Sequence, residues 1–497
     1  MPTTREEEFE AVPSFEKRPA IAIGTISHLA YINMSFLCSP TPTSQTFLMG
    51  LVFFFTFTAY LTIQAFAADM YGDTLGSNMA TSLYLAFAIA CFGAPSFVNK
   101  AGSKNTMFLG VLGYAALVGA SLIYFLEMAG DWIVILGGVA CGIGAALLWT
   151  AQGRLIMQYS DGTDNGYLFS IFWALFNLSA LVGGLLTFFY FGSNSSSGNV
   201  ALYVIFLVFV VLGALATQLL VPPSQLIRGK DESNLALLPH AGSDGTPGAP
   251  LELSQSDWFT EMKATLSLFK TRRMLYLSLI FFYTGYNQPY QLNTFGNRWF
   301  TKKTIGLEMI IFYTSEIVGG LYIGAMLDGA SGDKGKQRTA AKKCLVIFFL
   351  VTLLSFGLCT YVEWDCAFVG AVDGVDCVVP IEYNDKAVVL PSVVYALWGF
   401  SDSQIQTYAY WLMGTLYAEG ATQARAVGFY KCVQSLGWTV GFALVPSARM
   451  EPMLQMAATA ACFLVGTGLA VFELPVINRR SSSRGSRGSR KTSKETV

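Results

Sequence analysis

Leu148-Trp149-Thr150-Ala151-Gln152-Gly153-Arg154 closes an apolar segment that begins near Trp132, and its polar side chains decide how the chain is read. Hydrocarbon offers no hydrogen-bond partner, so polar groups at the end of a spanning segment need a reason. One reading is an interfacial belt, with Trp149 at headgroup level and Arg154 marking the cytoplasmic end. The other places Trp149 and Gln152 on the inner face of a helix bundle, beside whatever passes through it.

The composition around this stretch agrees with a membrane. Of 497 residues, 53% are hydrophobic and only 13% charged, far from the balance of a soluble domain. An all-α, polytopic membrane protein in contact with the lipid bilayer is therefore expected. A net charge of −1, with basic residues confined to short connections, gives no footprint for nucleic acid. His28 and His240 are the two histidines, too few for a Ser-His triad or a histidine metal site. No Gly-x-x-x-x-Gly-Lys-Ser/Thr loop is present, which removes ATP-driven pumping. No enzymatic activity, cofactor or metal is expected. The acidic start, Met1 to Phe15, lacks the basic and apolar regions of a cleavable signal peptide.

Spans of about twenty apolar residues recur at roughly 48–67, 80–98, 106–126, 132–153, 168–191 and 200–221, and again at 274–294, 305–327, 343–361, 388–412, 423–446 and 453–475. Ala20 to Cys38 carries too many polar residues for a confident span and reads as a surface or re-entrant segment. Between the two sets of six lies a polar, Pro/Gly/Ser-containing stretch that cannot bury a core. The organisation expected is an N-terminal segment 1–46, a first six-helix bundle 47–221, a flexible linker 222–273, a second bundle 274–476 and a basic Ser/Arg tail 477–497.

Charge tests the count. With both termini and the linker cytoplasmic, that side holds 25 of the 31 Lys and Arg, as the positive-inside rule requires. On the opposite face, Asn194-Ser195-Ser196 is a glycosylation sequon. Cys366 and Cys377 share the longest loop there and are either a disulfide or two thiols. The membrane is a plasma membrane or an endomembrane.

Two six-span halves around a linker are the plan of the major facilitator fold. The loops after the second and eighth spans add to it. Asn99, Lys100, Gly102 and Lys104 in one, and Asp328 followed by Lys334, Lys336 and Arg338 in the other, look like degraded copies of the facilitator loop motif. Its basic side chains are suited to latching neighbouring helix ends.

Several motifs resemble a particular family. Trp149-Thr-Ala-Gln152-Gly, Phe172-Trp173-Ala174, Tyr283-Thr-Gly-Tyr286-Asn287-Gln288, Trp398-Gly-Phe-Ser-Asp402-Ser-Gln-Ile-Gln406-Thr407 and Gly428-Phe-Tyr-Lys431-Cys-Val-Gln434 are similar to the uncoordinated-93-like membrane proteins, in their fungal and plant branch. These are distant relatives of the major facilitators, and the resemblance covers about residues 45 to 475. It implies either secondary transport or sensing of a small solute or monovalent cation, potassium among them, or a non-transporting role as a regulatory subunit of an ion channel or a trafficking chaperone of a partner membrane protein.

Ionisable residues deep in spans are the bottom-up pointers to a site, because each is costly unless paired or hydrated. Glu316, Asp402 and Lys431 each lie roughly 12–15 Å from the cytoplasmic end of their spans, so one cluster can hold all three. Lys431 is expected to pair with Asp402. The amides Gln64, Gln152, Asn177, Gln288, Gln406 and Gln434, together with Trp149, form the expected solute path.

Overall fold

A computed structural model of the chain describes residues 39–159, 165–193, 200–226, 258–330, 334–367, 378–417 and 420–474. Among them run twelve long helices: α1 (Pro42–Ala65), α2 (Asp73–Ala90), α3 (Ser103–Phe125), α4 (Trp132–Tyr159), α5 (Asn165–Ser193), α6 (Val200–Thr217), α7 (Arg272–Gln288), α8 (Lys302–Asp328), α9 (Lys334–Ala367), α10 (Val389–Leu416), α11 (Gly420–Leu444) and α12 (Pro452–Ala470). Eight of them are long and apolar enough to cross a membrane by length and composition alone. Of the other four, α7 is short at 17 residues, and α2, α10 and α11 carry polar side chains that lower their hydropathy. Three of those four supply the centre of the molecule.

Helix ends follow capping rather than hydropathy, which moves several expected boundaries. Thr41 caps α1 by accepting from Ser44 N at 3.3 Å, and Pro42 takes a first-turn position where its missing N–H costs nothing. The helix therefore begins at Pro42, six residues ahead of the span expected from 48. Gln45 then ties this end to that of α6, accepting from Val221 N at 2.9 Å. The second span ends at Ala90 instead of 98, because the chain breaks and restarts at Pro95 in a short helix, Ala94–Ala101. Gly102 follows with φ +77°, a left-handed turn that favours glycine. Within the stretch expected as the linker, 222–273, runs the helix Trp258–Phe269, whose Phe269 packs between Phe92 (5.3 Å between ring centroids) and Phe429 (4.4 Å).

The apolar residues form two cores, one largely from α1 to α6 and one largely from α7 to α12. Their contact runs along two seams, α2 on α11 and α5 on α8. In the second seam a Cβ on Gly184 would lie 2.8 Å from Gly306 O, and one on Gly306 2.9 Å from Gly184 O, so the two backbones meet directly. The α7/α11 contact is equally close: a side chain at Gly285 would collide with the Gln434 carbonyl, and one at Gly437 with that of Phe282. After Gln288, α7 widens into a π-helical turn, Pro289–Phe295. Such turns re-aim side chains out of regular register, and here the break directly follows Asn287 and Gln288.

Candidate functional site

Between the bundles, midway along the helices, lies a cavity of about 70 Å³ walled by Gln64, Trp149, Gln288, Glu316, Gln406 and Lys431 among others. It holds a few water molecules' worth of space. On the linker side, Phe269 packs against Phe92 and Phe429. Toward the opposite side, Tyr84 stacks on Trp438 (4.7 Å) and on Phe442 (5.4 Å), and Gln64 Nε2 donates to the Tyr84 hydroxyl at 3.0 Å. Beyond this stack opens a vestibule of about 310 Å³ bordered by Asp73, Ser77, Asn293, Asn297, Arg298 and Phe442. Ser77 Oγ donates to Phe442 O at 2.5 Å, and Arg449 Nη2 to Asn78 Oδ1 at 3.0 Å, so hydrogen bonds join the bundles at its rim.

The charged residues are connected by amides. Asp402 is 1% exposed and accepts from Asn287 Nδ2 (3.0 Å), Gln288 Nε2 (2.8 Å) and Gln406 Nε2 (3.0 Å). Gln406 Oε1 accepts from Gln434 Nε2 at 3.2 Å, and Gln434 Oε1 from Lys431 Nζ at 2.9 Å. On its other flank Asp402 neighbours Glu316. Asn177, with its amide oriented to satisfy both neighbours, donates to Glu316 Oε2 and accepts from Trp173 Nε1, each at 2.8 Å. The chain Lys431, Gln434, Gln406, Asp402, Glu316, Asn177 thus starts in the second bundle and ends on α5 of the first.

Lys431 does not form the ion pair expected with Asp402. Its ammonium sits over Trp149 at 4.2 Å, Tyr430 at 5.3 Å and Tyr410 at 5.6 Å from the ring centroids. The physical reason is that three amides satisfy Asp402, while aromatic faces supply Lys431 with negative potential at a smaller desolvation cost. The opening stretch is corrected by the same contact. Trp149 is 8% exposed and packs edge-on against Phe53 (4.8 Å), Phe57 (5.6 Å) and Phe176 (5.3 Å), so it is not at headgroup level.

Of the expected path residues, Gln64, Trp149, Gln288 and Gln406 reach the cavity wall, Asn177 and Gln434 stand one layer behind, and Gln152 is buried in α4 away from it. Asn287, Tyr84 and Trp438 were missed. Tyrosine and tryptophan carry their polar atom on an apolar ring and so do not stand out in an apolar run, and Asn287 is adjacent to the equally polar Gln288. Glu308 and Glu363 were also passed over. Glu308 accepts from Ser392 Oγ at 2.5 Å, and Glu363 pairs with Arg298 and accepts from Trp299 Nε1 at 2.9 Å. In the loop motif, Lys104 Nζ reaches Gln218 O at 2.5 Å and so latches the end of α6, where a cation is favoured. Lys100 is exposed and Gly102 forms the turn. The side chains of Asn99 and Asp328 lie outside the described residues, as do Asn194 and the thiols of Cys366 and Cys377.

Comparison with known proteins decides the family. The model of the family described as ion channel regulatory protein UNC-93 matches residues 72–467. The chain belongs to the UNC-93 family. UNC93-like protein 1 of Arabidopsis thaliana is 26% identical over 420 residues, covering 84% of this chain and 86% of that one. UNC93-like protein MFSD11 of Xenopus tropicalis is 28% identical over 421 residues, covering 80% and 88%. The fold of this UNC-93 protein is that of the major facilitators: the E. coli fucose:proton symporter superposes with a TM-score of 0.58 at 12% identity, covering 87% of this chain and 98% of that one. The human organic anion transporter MFSD10 gives 0.54 at 12% identity, covering 86% and 98%. It is a multi-pass integral membrane protein.

Proposed function

We propose that this UNC-93 protein is a secondary transporter or sensor that admits a small solute or cation to its central cavity by rocking of the two bundles, with both termini cytoplasmic. The observation that supports this is the polar chain from Lys431 to Asn177. Burying an ammonium and two carboxyl groups in a membrane interior is costly, and such groups there generally mark an ion or solute pathway. A protein held together by packing alone has no need of them. Asp402 and Glu316 act as the acceptor pair of the site, and Gln64, Gln288 and Gln406 as the polar wall a ligand meets first.

A second reading, a regulatory subunit of an ion channel or a chaperone for a partner membrane protein, draws on the family description. The two differ in whether the centre opens to water. Single cysteines replacing Gln64 and Gln288, in a background from which the native cysteines are removed, report this with a membrane-impermeant thiol reagent. Both are expected to react from the vestibule side, because only the Tyr84 stack intervenes. Absence of reaction from either side, with a recurrent co-purifying membrane protein, would replace the first reading by the second.

A further inference from the structure

Lys431 has no ion-pair partner among the described residues. Among the described residues its ammonium makes one hydrogen bond, to Gln434 Oε1, and otherwise faces the rings of Trp149, Tyr410 and Tyr430. Three π faces around an ammonium form an aromatic cage, which favours weakly hydrated alkylammonium groups over compact, strongly hydrated ions. Trp149 belongs to α4 and the two tyrosines to α10 and α11, so the cage is complete only when the bundles are together. Trp149 and Lys431 border the cavity, so a ligand there meets one wall of the cage and its occupant, with the two tyrosines behind them. Two amides, Gln434 and Gln406, connect the ammonium to Asp402, the carboxylate toward which it can move.

We propose that the Trp149, Tyr410 and Tyr430 cage is a binding site for a small organic amine, carried as its alkylammonium ion, and that Lys431 is the site's built-in occupant. A free amine displaces the lysine ammonium, which moves toward Asp402, and the amine then ties α4 to α10 and α11 in its place. This rests on the reading of the cavity as open to ligand and names the ligand's chemistry.

The test uses the full chain in detergent, with thermal unfolding followed against ethylammonium chloride or sodium chloride at constant ionic strength. Ethylammonium is expected to raise the unfolding temperature and sodium is not. Trp149→Leu is expected to abolish the shift, and Lys431→Ala to lower the half-saturating concentration by about tenfold, because the competing cation is gone. Equal shifts with the two salts, or a shift that survives Trp149→Leu, would overturn the proposal. If Lys431→Ala does not fold, Trp149→Phe serves: its weaker ring face is expected to raise half-saturation about threefold, and no change would count against the cage. A cavity that labels at Gln288→Cys but ignores ethylammonium removes this inference and leaves the proposed function standing. One that neither labels nor responds removes both.

Discussion

Asp402 is held by three amide N–H donors, and that choice of partners sets what its substitution does. In Asp402→Asn an amide NH₂ replaces one acceptor oxygen, so at least one of Asn287, Gln288 and Gln406 loses its acceptor. A buried donor left unsatisfied costs about 1–3 kcal/mol, and the thermal midpoint in detergent is expected to fall accordingly. Two ion pairs among the described residues make a sharper contrast. Glu363 is 1% exposed and its partner Arg298 13%, whereas Arg273 and Glu473 are 42% and 13% exposed. Glu363→Ala removes a buried acceptor from Trp299 Nε1 and breaks the contact with Arg298, and should cost about 1–3 kcal/mol, against at most about 1 kcal/mol for Arg273→Ala. Equal midpoints for the two variants would contradict this. Glu316, Asp402 and Lys431 were legible because an ionisable residue stands out in an apolar run. Their partners were not, because Gln406 and Gln434 lie within reach of several neighbours and the sequence does not say which.

Elements were legible by hydropathy and their ends were not. The second span was misplaced because Gly93 and Pro95 interrupt an apolar run that looks continuous. The widened turn after Gln288 was invisible for a similar reason: Pro289 announces a break but not its π geometry. Close packing at the elements predicts a second contrast. Gly437→Leu drives a side chain into the Phe282 carbonyl and should cost about 1–3 kcal/mol by overpacking. Gly357, on α9, has open space around its would-be Cβ, so Gly357→Ala should be neutral or gain about 0.4–1 kcal/mol by stiffening the unfolded chain. Thermal midpoints of the purified variants check both.

For the whole molecule, the two cores and the two seams between them predict that the bundles recognise each other without a covalent connection. Residues 1–240 and 241–497, co-expressed with a tag on one half, should co-purify. Gly184→Leu, which wedges α5 away from α8, should release the untagged half. Co-purification undiminished by that substitution would mean that the α5/α8 seam does not carry the association. The proposed orientation has its own check, since Asn194→Gln should remove a glycosidase-sensitive mobility shift if that loop is lumenal or extracellular.

The amino-acid sequence by itself determined the membrane, the two-by-six plan, the family motifs and the three charged residues of the centre. Each depends on local composition or on spacing along the chain, and hydrocarbon tolerates few alternatives to an apolar helix. Only the tertiary structure decided that Lys431 is caged by Trp149, Tyr410 and Tyr430, that amides bridge it to Asp402, and that Gln152 stands away from the cavity. Those outcomes depend on helix rotation and on which bundle faces which. Hydropathy is nearly blind to both, because polar groups at one depth can be satisfied in several rotations and only the packing of all twelve helices selects one.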